Sequence, residues 1–286
     1  MSYLQNFKYE ISGPSSEHKL VFLHGVMGSG ANWRRVVPHF QNSYQVLTFD
    51  QRGHGWSFKP ATGYAPEDYS LDLRLILDEL NWNKVSLIGH SMGGRNALHF
   101  AQKYPQRLEA LVIEDIGPQG QLEVMEKTIR MVEMVPVPFA SKFEAKQYFE
   151  GEFTRALMST STVGGRSLEQ ARILAQYFYT NIESRADSSA DWRFSKNAII
   201  SSLRQGHFQP RWDAVRDLTI PTLFIRGEHS EDFPKDEFAK VLALKNPFIR
   251  GAEVPNAGHW VHFDNPAGFI TAVSEFLTFT LRADKT

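Results

Sequence analysis

The most regular feature of this chain is a series of short apolar runs separated by wide polar intervals. The runs are Leu20-Val21-Phe22-Leu23, Val46-Leu47-Thr48-Phe49, Val85-Ser86-Leu87-Ile88, Leu111-Val112-Ile113 and Thr222-Leu223-Phe224-Ile225. Nearly continuous apolarity, as opposed to strict alternation, is typical of strands buried on both faces of a parallel sheet. The pattern therefore predicts a central, mostly parallel sheet that is covered by helices.

Helical periodicity occurs between these predicted strands. Between Tyr69 and Leu80, apolar residues recur at Tyr69, Leu73, Ile76, Leu77 and Leu80. This spacing predicts a helix, and Pro66-Glu67-Asp68 before it suits a helix N-terminus. A second helix is predicted from about Ser91 to before Pro105, and a last one from about Pro266 to Leu281. Strands that alternate with helices indicate the α/β class.

The alternation is interrupted between Pro118 and Asp217, where no buried-strand run occurs. Helices are predicted there at Leu122 to Val135, Lys142 to Met158, Leu168 to Tyr179 and Asp191 to Leu203. The segment is rich in aromatic residues, namely Phe139, Phe143, Tyr148, Phe149, Phe153, Tyr177, Phe178, Tyr179, Trp192, Phe194, Phe208 and Trp212. We expect most of them to pack together and a minority to line an apolar pocket. The predicted organisation is a core domain of residues 1–117 and 218–286 with a helical cap at 118–217.

Composition narrows the functional class. The chain has 286 residues, of which 42% are hydrophobic and 22% charged, as in folded globular proteins. Its 31 Lys and Arg residues nearly balance 32 Asp and Glu residues without a basic run, which argues against a nucleic-acid partner. The lack of cysteine excludes disulfides, thiol nucleophiles and cysteine-ligated metals. Without a signal-like leader in residues 1–10 or a membrane-spanning run, we expect a soluble, cytoplasmic protein.

The strongest chemical signal is the G-x-S-x-G motif Gly89-His90-Ser91-Met92-Gly93, between a predicted strand and a predicted helix. A sharp strand-to-helix turn strains the serine and projects its hydroxyl above the sheet, and the flanking glycines let neighbouring backbone approach. The motif alone could be an ordinary glycine-rich turn, but this context favours a nucleophile. Ser91 is therefore the predicted nucleophile.

A serine hydroxyl needs a base, and the usual chain order of serine, acid and histidine puts that base after the last strand. Of the ten histidines, His259 fits best because it follows the stretch Phe248 to Pro255 and the small pair Ala257-Gly258. His262 is a nearby rival, and His90 is interpreted as structural. An ordinary histidine base would lose activity as the pH falls through ~6.5.

Acyl transfer also needs two N–H donors for the developing oxyanion. The amide after the nucleophile, that of Met92, is one candidate. The other is Val26, in the glycine-rich loop His24 to Gly30 that follows the first apolar run. The alternative interpretation of this loop is a plain glycine turn.

Four motifs together resemble the α/β-hydrolase superfamily. They are His24-Gly25, Asp50 to Ser57, Gly89 to Gly94 and Val254 to Trp260. The resemblance covers nearly the whole chain, and the helical insertion stands where the family has its cap domain. Three stretches are also similar to YbfF-type bacterial esterases and their mitochondrial abhydrolase relatives, namely Glu114 to Pro118, Trp192-Arg193-Phe194 and Val254 to Trp260.

The resemblance matters most for the acid that orients the base. Many α/β-hydrolases carry it in a Gly-x-x-Asp pattern after the strand that ends here at Ile225, but this chain has Gly227-Glu228-His229-Ser230. The YbfF-type enzymes look to place the acid one strand earlier, which implies Asp115. The other candidates are Glu114, Glu228 and Asp232, and Asp50 is interpreted as a structural turn residue.

Serine at the elbow argues against haloalkane dehalogenases and epoxide hydrolases, which resemble this fold but use aspartate there. A serine forms an acyl-enzyme from an ester, thioester or amide, and no step calls for a metal or organic cofactor. We therefore expect a carboxylesterase-type hydrolase whose partner is a small-molecule ester or thioester with an apolar acyl group. The alternatives are a C–C bond hydrolase or perhydrolase on the same scaffold, and a hydrolase-like receptor with incidental turnover.

Overall fold

The computed structural model describes residues 2–120, 122–159, 167–207 and 210–283. The strands are β1 (Tyr9–Ser12), β2 (Lys19–Leu23), β3 (Gln45–Phe49), β4 (Val85–His90), β5 (Leu108–Glu114), β6 (Ile182–Ser184), β7 (Ala190–Trp192), β8 (Thr222–Gly227) and β9 (Ile249–Val254). Within this part of the chain, seven of them form one sheet in the order β1-β3-β2-β4-β5-β8-β9.

The predicted parallel sheet is confirmed. From β3 to β9 neighbouring strands pair in parallel, and only β1 is antiparallel, at the edge beside β3. The five apolar runs correspond to β2, β3, β4, β5 and β8, and every residue of β4 and β8 is buried. The edge strands β1 and β9 are largely exposed, so they lack the continuous apolar run that marks a central strand.

Helices cover both faces of the sheet. They are α1 (Val37–Phe40), α2 (Pro66–Glu79), α3 (Met92–Lys103), α4 (Leu122–Met134), α5 (Lys142–Tyr148), α6 (Thr154–Met158), α7 (Leu168–Tyr179), α8 (Lys196–His207), α9 (Trp212–Arg216), α10 (Lys235–Ala243), α11 (Val261–Asp264) and α12 (Pro266–Ala283). Short 3-10 helices cover Leu4–Asn6, Gly30–Arg35 and Pro105–Arg107, and a π-helical turn, Phe149–Phe153, joins α5 to α6. Apolar residues of α2, α3 and α10 belong to one buried cluster, and those of α1 and α12 belong to another. None of the helices in the described ranges is long and apolar enough to cross a membrane.

The inserted segment, residues 118–217, lies between β5 and β8 and contributes most of the buried residues of one hydrophobic cluster. Most of its predicted aromatic residues are packed there; Phe149, for example, lies 5.1 Å from Phe153 between ring centroids. Phe143 differs, with 69% of its surface exposed. Phe208 lies outside the described residues.

The inserted segment also contains a short hairpin that the sequence analysis did not predict. β6 and β7 pair antiparallel, and α8 begins only at Lys196, so the helix predicted from Asp191 was wrong over its first five residues. Ser195 explains the late start because its Oγ accepts the N–H of Ala198 at 3.2 Å, as a helix N-cap does. Its own N–H donates to the carbonyl of Gly53 at 2.8 Å, which ties this helix start to the core.

Candidate active site

Ser91 occupies a sharp turn between β4 and α3. Its φ of 52° and ψ of −117° lie in a region that non-glycine residues rarely adopt. Both motif glycines are required by close packing, since a Cβ on Gly89 would lie 2.3 Å from the carbonyl oxygen of Gly93. A Cβ on Gly93 would lie 2.3 Å from the carbonyl oxygen of Leu23. The local sequence thus permits the one turn in which Ser91 extends from the carboxyl end of β4.

Ser91, Asp115 and His259 come together at this edge of the sheet. Nε2 of His259 lies 3.0 Å from Oγ of Ser91, and Nδ1 lies 2.8 Å from Oδ2 of Asp115. Asp115 directly follows β5, the neighbour of β4, and His259 lies in the loop after β9. The His259 ring therefore links a serine hydroxyl and a carboxylate that precede it by 168 and 144 residues along the chain.

Asp115 is fully buried and held by donors from the next strand. Its Oδ1 accepts the N–H of Gly227 at 2.8 Å, and its Oδ2 accepts the hydroxyl of Ser230. Burial raises the pKa of Asp115, whereas the bonds from His259, Ser230 and Gly227 act in the opposite direction. The serine that replaces the common aspartate at position 230 therefore binds Asp115, a role that could not be inferred without the pairing of β5 with β8.

The other candidate carboxylates lie in different positions. Oδ2 of Asp232 lies 3.7 Å from Nδ1 of His259, too far for a hydrogen bond but close enough for strong attraction. Glu228 accepts the backbone N–H of Asn256 at 2.9 Å. Asp50 accepts the backbone N–H groups of Gly30 at 2.8 Å and Trp56 at 2.9 Å. Of these three, only Asp232 is close to the His259 ring.

The charge around His259 changes the expected pH range of the site. Burial disfavours the protonated ring, but the charge of Asp232, the hydrogen bond and charge of Asp115, and the charge of Glu114 outweigh burial. Together they raise the pKa of His259 to about 9. The midpoint of ~6.5 expected for an ordinary histidine therefore moves into the alkaline range.

His262, the rival base, belongs to a second carboxylate–histidine pair. Its Nδ1 and its backbone N–H each lie 2.8 Å from Oε1 of Glu114. Next to it, the ring of His90 donates from Nε2 to the carbonyl of His259 at 2.8 Å. Burial holds the pKa of His90 well below its usual range, so this ring is neutral. The sequence analysis did not identify this buried support of the His259 loop.

One group of side chains in the described ranges has the composition of a metal site. His90, Glu114 and His262 offer ligand atoms that lie within 4.8 Å of one another. In this arrangement the Glu114 carboxylate binds the ring and backbone of His262, and Nε2 of His90 binds a carbonyl. These hydrogen bonds account for the cluster as a structural network.

The loop after β2 lies directly against Ser91. A Cβ on Gly25 would lie 3.3 Å from Cβ of Ser91, so this glycine permits the close approach. The Gly25 carbonyl accepts the N–H of Gly28 at 3.0 Å and lies 2.8 Å from Nδ1 of His24. Because the C=O and N–H of a trans peptide point in opposite directions, these bonds also fix the direction of the Val26 N–H.

The second predicted donor, Met92, is the first residue of α3. N–H groups in the first turn of a helix have no intrahelical acceptor and lie at the positive end of the helix dipole. Met92 directly follows Ser91, and Val26 follows Gly25, which lies close to Ser91, so the two candidate donors come from separate elements. The side chains of both residues pack with a small buried cluster of Tyr64, Tyr69 and Ala198, the last of which belongs to α8.

Comparisons with known proteins agree with this architecture. The family described as alpha/beta hydrolase fold matches residues 19–266. The sn-1-specific diacylglycerol lipase ABHD11 of Danio rerio is 29% identical over 279 residues, which cover 95% of this chain and 82% of that protein. The 2-(acetamidomethylene)succinate hydrolase of Mesorhizobium japonicum is 26% identical over 272 residues, which cover 95% of this chain and 91% of that protein.

A solved structure described as a marine microorganism esterase is similar over nearly its whole length. The TM-score is 0.78 at 26% identity, over 94% of this chain and 98% of that one. The lipase, the hydrolase and the esterase are each named for a hydrolytic reaction.

Proposed function

We propose that this chain, which belongs to the alpha/beta hydrolase family, is a carboxylesterase-type serine hydrolase acting on esters or thioesters of small to medium apolar acyl groups. The observation that carries the proposal is the His259 ring, 3.0 Å from the Ser91 hydroxyl and 2.8 Å from the Asp115 carboxylate. This is the geometry of a nucleophile, a base and an orienting acid. The similarity to a lipase and an esterase supports an ester as the substrate.

In this mechanism Oγ of Ser91 attacks the acyl carbon while Nε2 of His259 takes its proton. The oxyanion is stabilised by the N–H groups of Val26 and Met92. His259 then gives the proton to the leaving alcohol or thiol, which leaves an acyl-enzyme on Ser91. Water, deprotonated by the same ring, attacks the acyl carbon and releases the acid. Asp115 keeps the ring in the tautomer with its proton on Nδ1.

We further propose that residues 118–217 act as the cap and supply an apolar acyl pocket. Support comes from packing next to the nucleophile, where Met92 shares a buried cluster with Ala198 of α8. Met27, from the loop after β2, belongs to the hydrophobic cluster of the inserted segment. Two more residues pack against that cluster: Val26, in the proposed oxyanion loop, and Trp260, which directly follows His259.

The proposal is tested with chromogenic esters of increasing acyl length. We expect kcat/KM to rise by about fourfold for each of the first added methylenes, since burying one contributes roughly 0.8 kcal/mol. Ser91→Ala should lower kcat by at least about 10⁴-fold, and a fluorophosphonate should label one peptide, the one containing Ser91. The matched control is Ser86→Ala, which removes a buried hydroxyl within β4, the strand that precedes Ser91. This variant should retain turnover.

Other outcomes would contradict the proposal. Undiminished turnover in Ser91→Ala, or labelling of another residue, would exclude Ser91 as the nucleophile. Cleavage of a diketone with negligible ester turnover would favour C–C bond hydrolysis. A single burst of chromophore without further turnover would favour the alternative of a hydrolase-like receptor with incidental turnover.

A further inference from the structure

One residue of the inserted segment binds the loop that carries a proposed oxyanion donor. Tyr177, near the C-terminus of α7, donates its hydroxyl to the carbonyl of Val26 at 3.0 Å. The two residues are 151 positions apart, so this is a contact between the inserted segment and the core. Burial raises the pKa of Tyr177, and its hydroxyl therefore remains a donor throughout the range of an activity assay.

The same loop is built into the hydrophobic cluster of the inserted segment. Met27, which follows Val26, has a φ of 59° and is only 4% exposed. A non-glycine residue with positive φ is strained, and such a conformation persists only where its surroundings hold it. For Met27 those surroundings include the buried cluster of the inserted segment, to which Phe178, the neighbour of Tyr177, also belongs.

The two peptide groups on either side of Val26 are thus held from opposite sides. The preceding one is fixed by the core, through the bonds of Gly28 and His24 to the Gly25 carbonyl. The following one is fixed by Tyr177 from the inserted segment. The Val26 N–H lies in the preceding peptide group, and the bond from Tyr177 restrains the following one, so the backbone on both sides of this N–H is held in place.

We infer that Tyr177 is a positioning residue that holds the Val26 N–H in place for the oxyanion, so that assembly of the oxyanion hole depends on the inserted segment. The inference rests on the proposed function. It assigns Tyr177 no contact with the reacting atoms, since its hydroxyl is bonded to the backbone. Tyr177 therefore affects how well the tetrahedral intermediate is stabilised more than how tightly the ester binds.

The ring of Tyr177 makes a separate contact that the test must leave intact. Its centroid lies 5.2 Å from that of Trp260, the residue after His259. Tyr177→Phe keeps this ring contact and removes only the hydroxyl. Tyr148→Phe is the matched control, because the Tyr148 hydroxyl donates to the Met134 carbonyl at 2.9 Å entirely within the inserted segment.

The experiment measures kcat and KM for one chromogenic ester, and the inhibition constant of an alkyl boronic acid, which forms a tetrahedral adduct with a nucleophilic serine. Loss of a whole oxyanion donor costs about 10²–10³-fold in kcat. We expect Tyr177→Phe, which displaces a donor without removing it, to lower kcat by about tenfold with KM within about twofold. The boronic acid should bind more weakly by a similar factor, and Tyr148→Phe should match the parent in all three measurements.

The inference is overturned if Tyr177→Phe and Tyr148→Phe have the same kcat, or if the loss in Tyr177→Phe falls on KM alone. Thermal melting of both variants separates a folding defect from this effect, and a lower melting temperature with unchanged kcat would also overturn it. If the parent enzyme shows no ester turnover that depends on Ser91, the proposed function fails and this inference fails with it. Normal parent turnover with equal variants would reject the role of Tyr177 alone.

Discussion

Two carboxylate–histidine pairs lie side by side at the end of β5, and one of them reaches Ser91, the proposed nucleophile. Glu114 and Asp115 are consecutive residues. Asp115 binds His259 in the loop after β9, and Glu114 binds His262 in α11, each at 2.8 Å. In the first pair, the far nitrogen of His259 lies 3.0 Å from Ser91. In the second pair, Glu114 also holds the backbone N–H of His262.

Both pairs consist of a carboxylate and a histidine ring, so their different surroundings depend on where each pair lies in the fold. Glu114 is the last residue of β5, whereas Asp115 follows the strand with a φ of 51°, so the two side chains leave the backbone from different conformations. The side chain of His259 is 19% exposed, whereas that of His262 is 3% exposed and stacks 4.4 Å from the ring of Trp33. We therefore propose that the first pair exchanges a proton with a substrate, whereas the second fixes the path of the segment that carries His259.

The largest expected effect comes from replacing Asp115, the acid of the pair that reaches Ser91. Asp115→Asn preserves shape but favours the wrong tautomer of His259, and the corresponding change in serine proteases costs about 10⁴-fold in kcat. We expect a loss of several orders of magnitude with an ester substrate. Glu228→Gln, which alters a carboxylate that accepts the backbone N–H of Asn256, should remain within about tenfold of the parent. Collapse of Glu228→Gln with an active Asp115→Asn would reverse the assignment of the acid.

The buried pair should affect stability more than chemistry. Glu114→Gln removes the charge that faces His262 inside the protein, and breaking a buried pair in this way costs about 3 kcal/mol. We expect a drop of that size in the free energy of unfolding measured in urea, with a smaller loss of kcat per folded molecule than in Asp115→Asn. Glu123→Gln, at an exposed pair with Lys127, is the control and should not change the urea midpoint. An unchanged urea midpoint in Glu114→Gln would show that this pair does not hold the loop.

The smallest expected effect concerns Asp232, whose carboxylate lies 3.7 Å from Nδ1 of His259. His259 must be neutral to take a proton, so kcat/KM of the free enzyme should rise with pH through its pKa of about 9. Asp232→Asn removes an attraction for the charged ring and should lower the midpoint of this profile by about one unit. At neutral pH the change in kcat/KM should stay within about tenfold, and its direction should be upward.

The control for this profile is Asp236→Asn, which alters an exposed carboxylate paired with Lys240 in α10. Its pH midpoint should equal that of the parent. A midpoint that stays in place in Asp232→Asn, or that moves equally in both variants, would mean that Asp232 does not set the titration of His259.

The elements that could be predicted from the sequence are those whose signal is local and repeated. The central strands are buried on both faces, so β4 and β8 are recognisable as apolar runs, and the stripe from Tyr69 to Leu80 marks α2. The edge strand β1 and the hairpin of β6 with β7 lack such a run, and both were absent from the prediction. The helix expected from Asp191 begins at Lys196 because Ser195 caps it and binds Gly53 from the core.

The candidate active site likewise has features that the local sequence determines and features that depend on the tertiary structure. The turn at Ser91 was determined by the sequence itself, because Gly89 and Gly93 leave room that no side chain would allow. Which carboxylate lies beside His259 was decided by the tertiary structure, since strand order alone brings Asp115 and Ser230 together across 115 residues of chain. The same is true of the contact between Tyr177 and Val26. Backbone geometry is set by neighbouring residues, whereas a hydrogen bond between distant side chains exists only after the sheet and the inserted segment have packed.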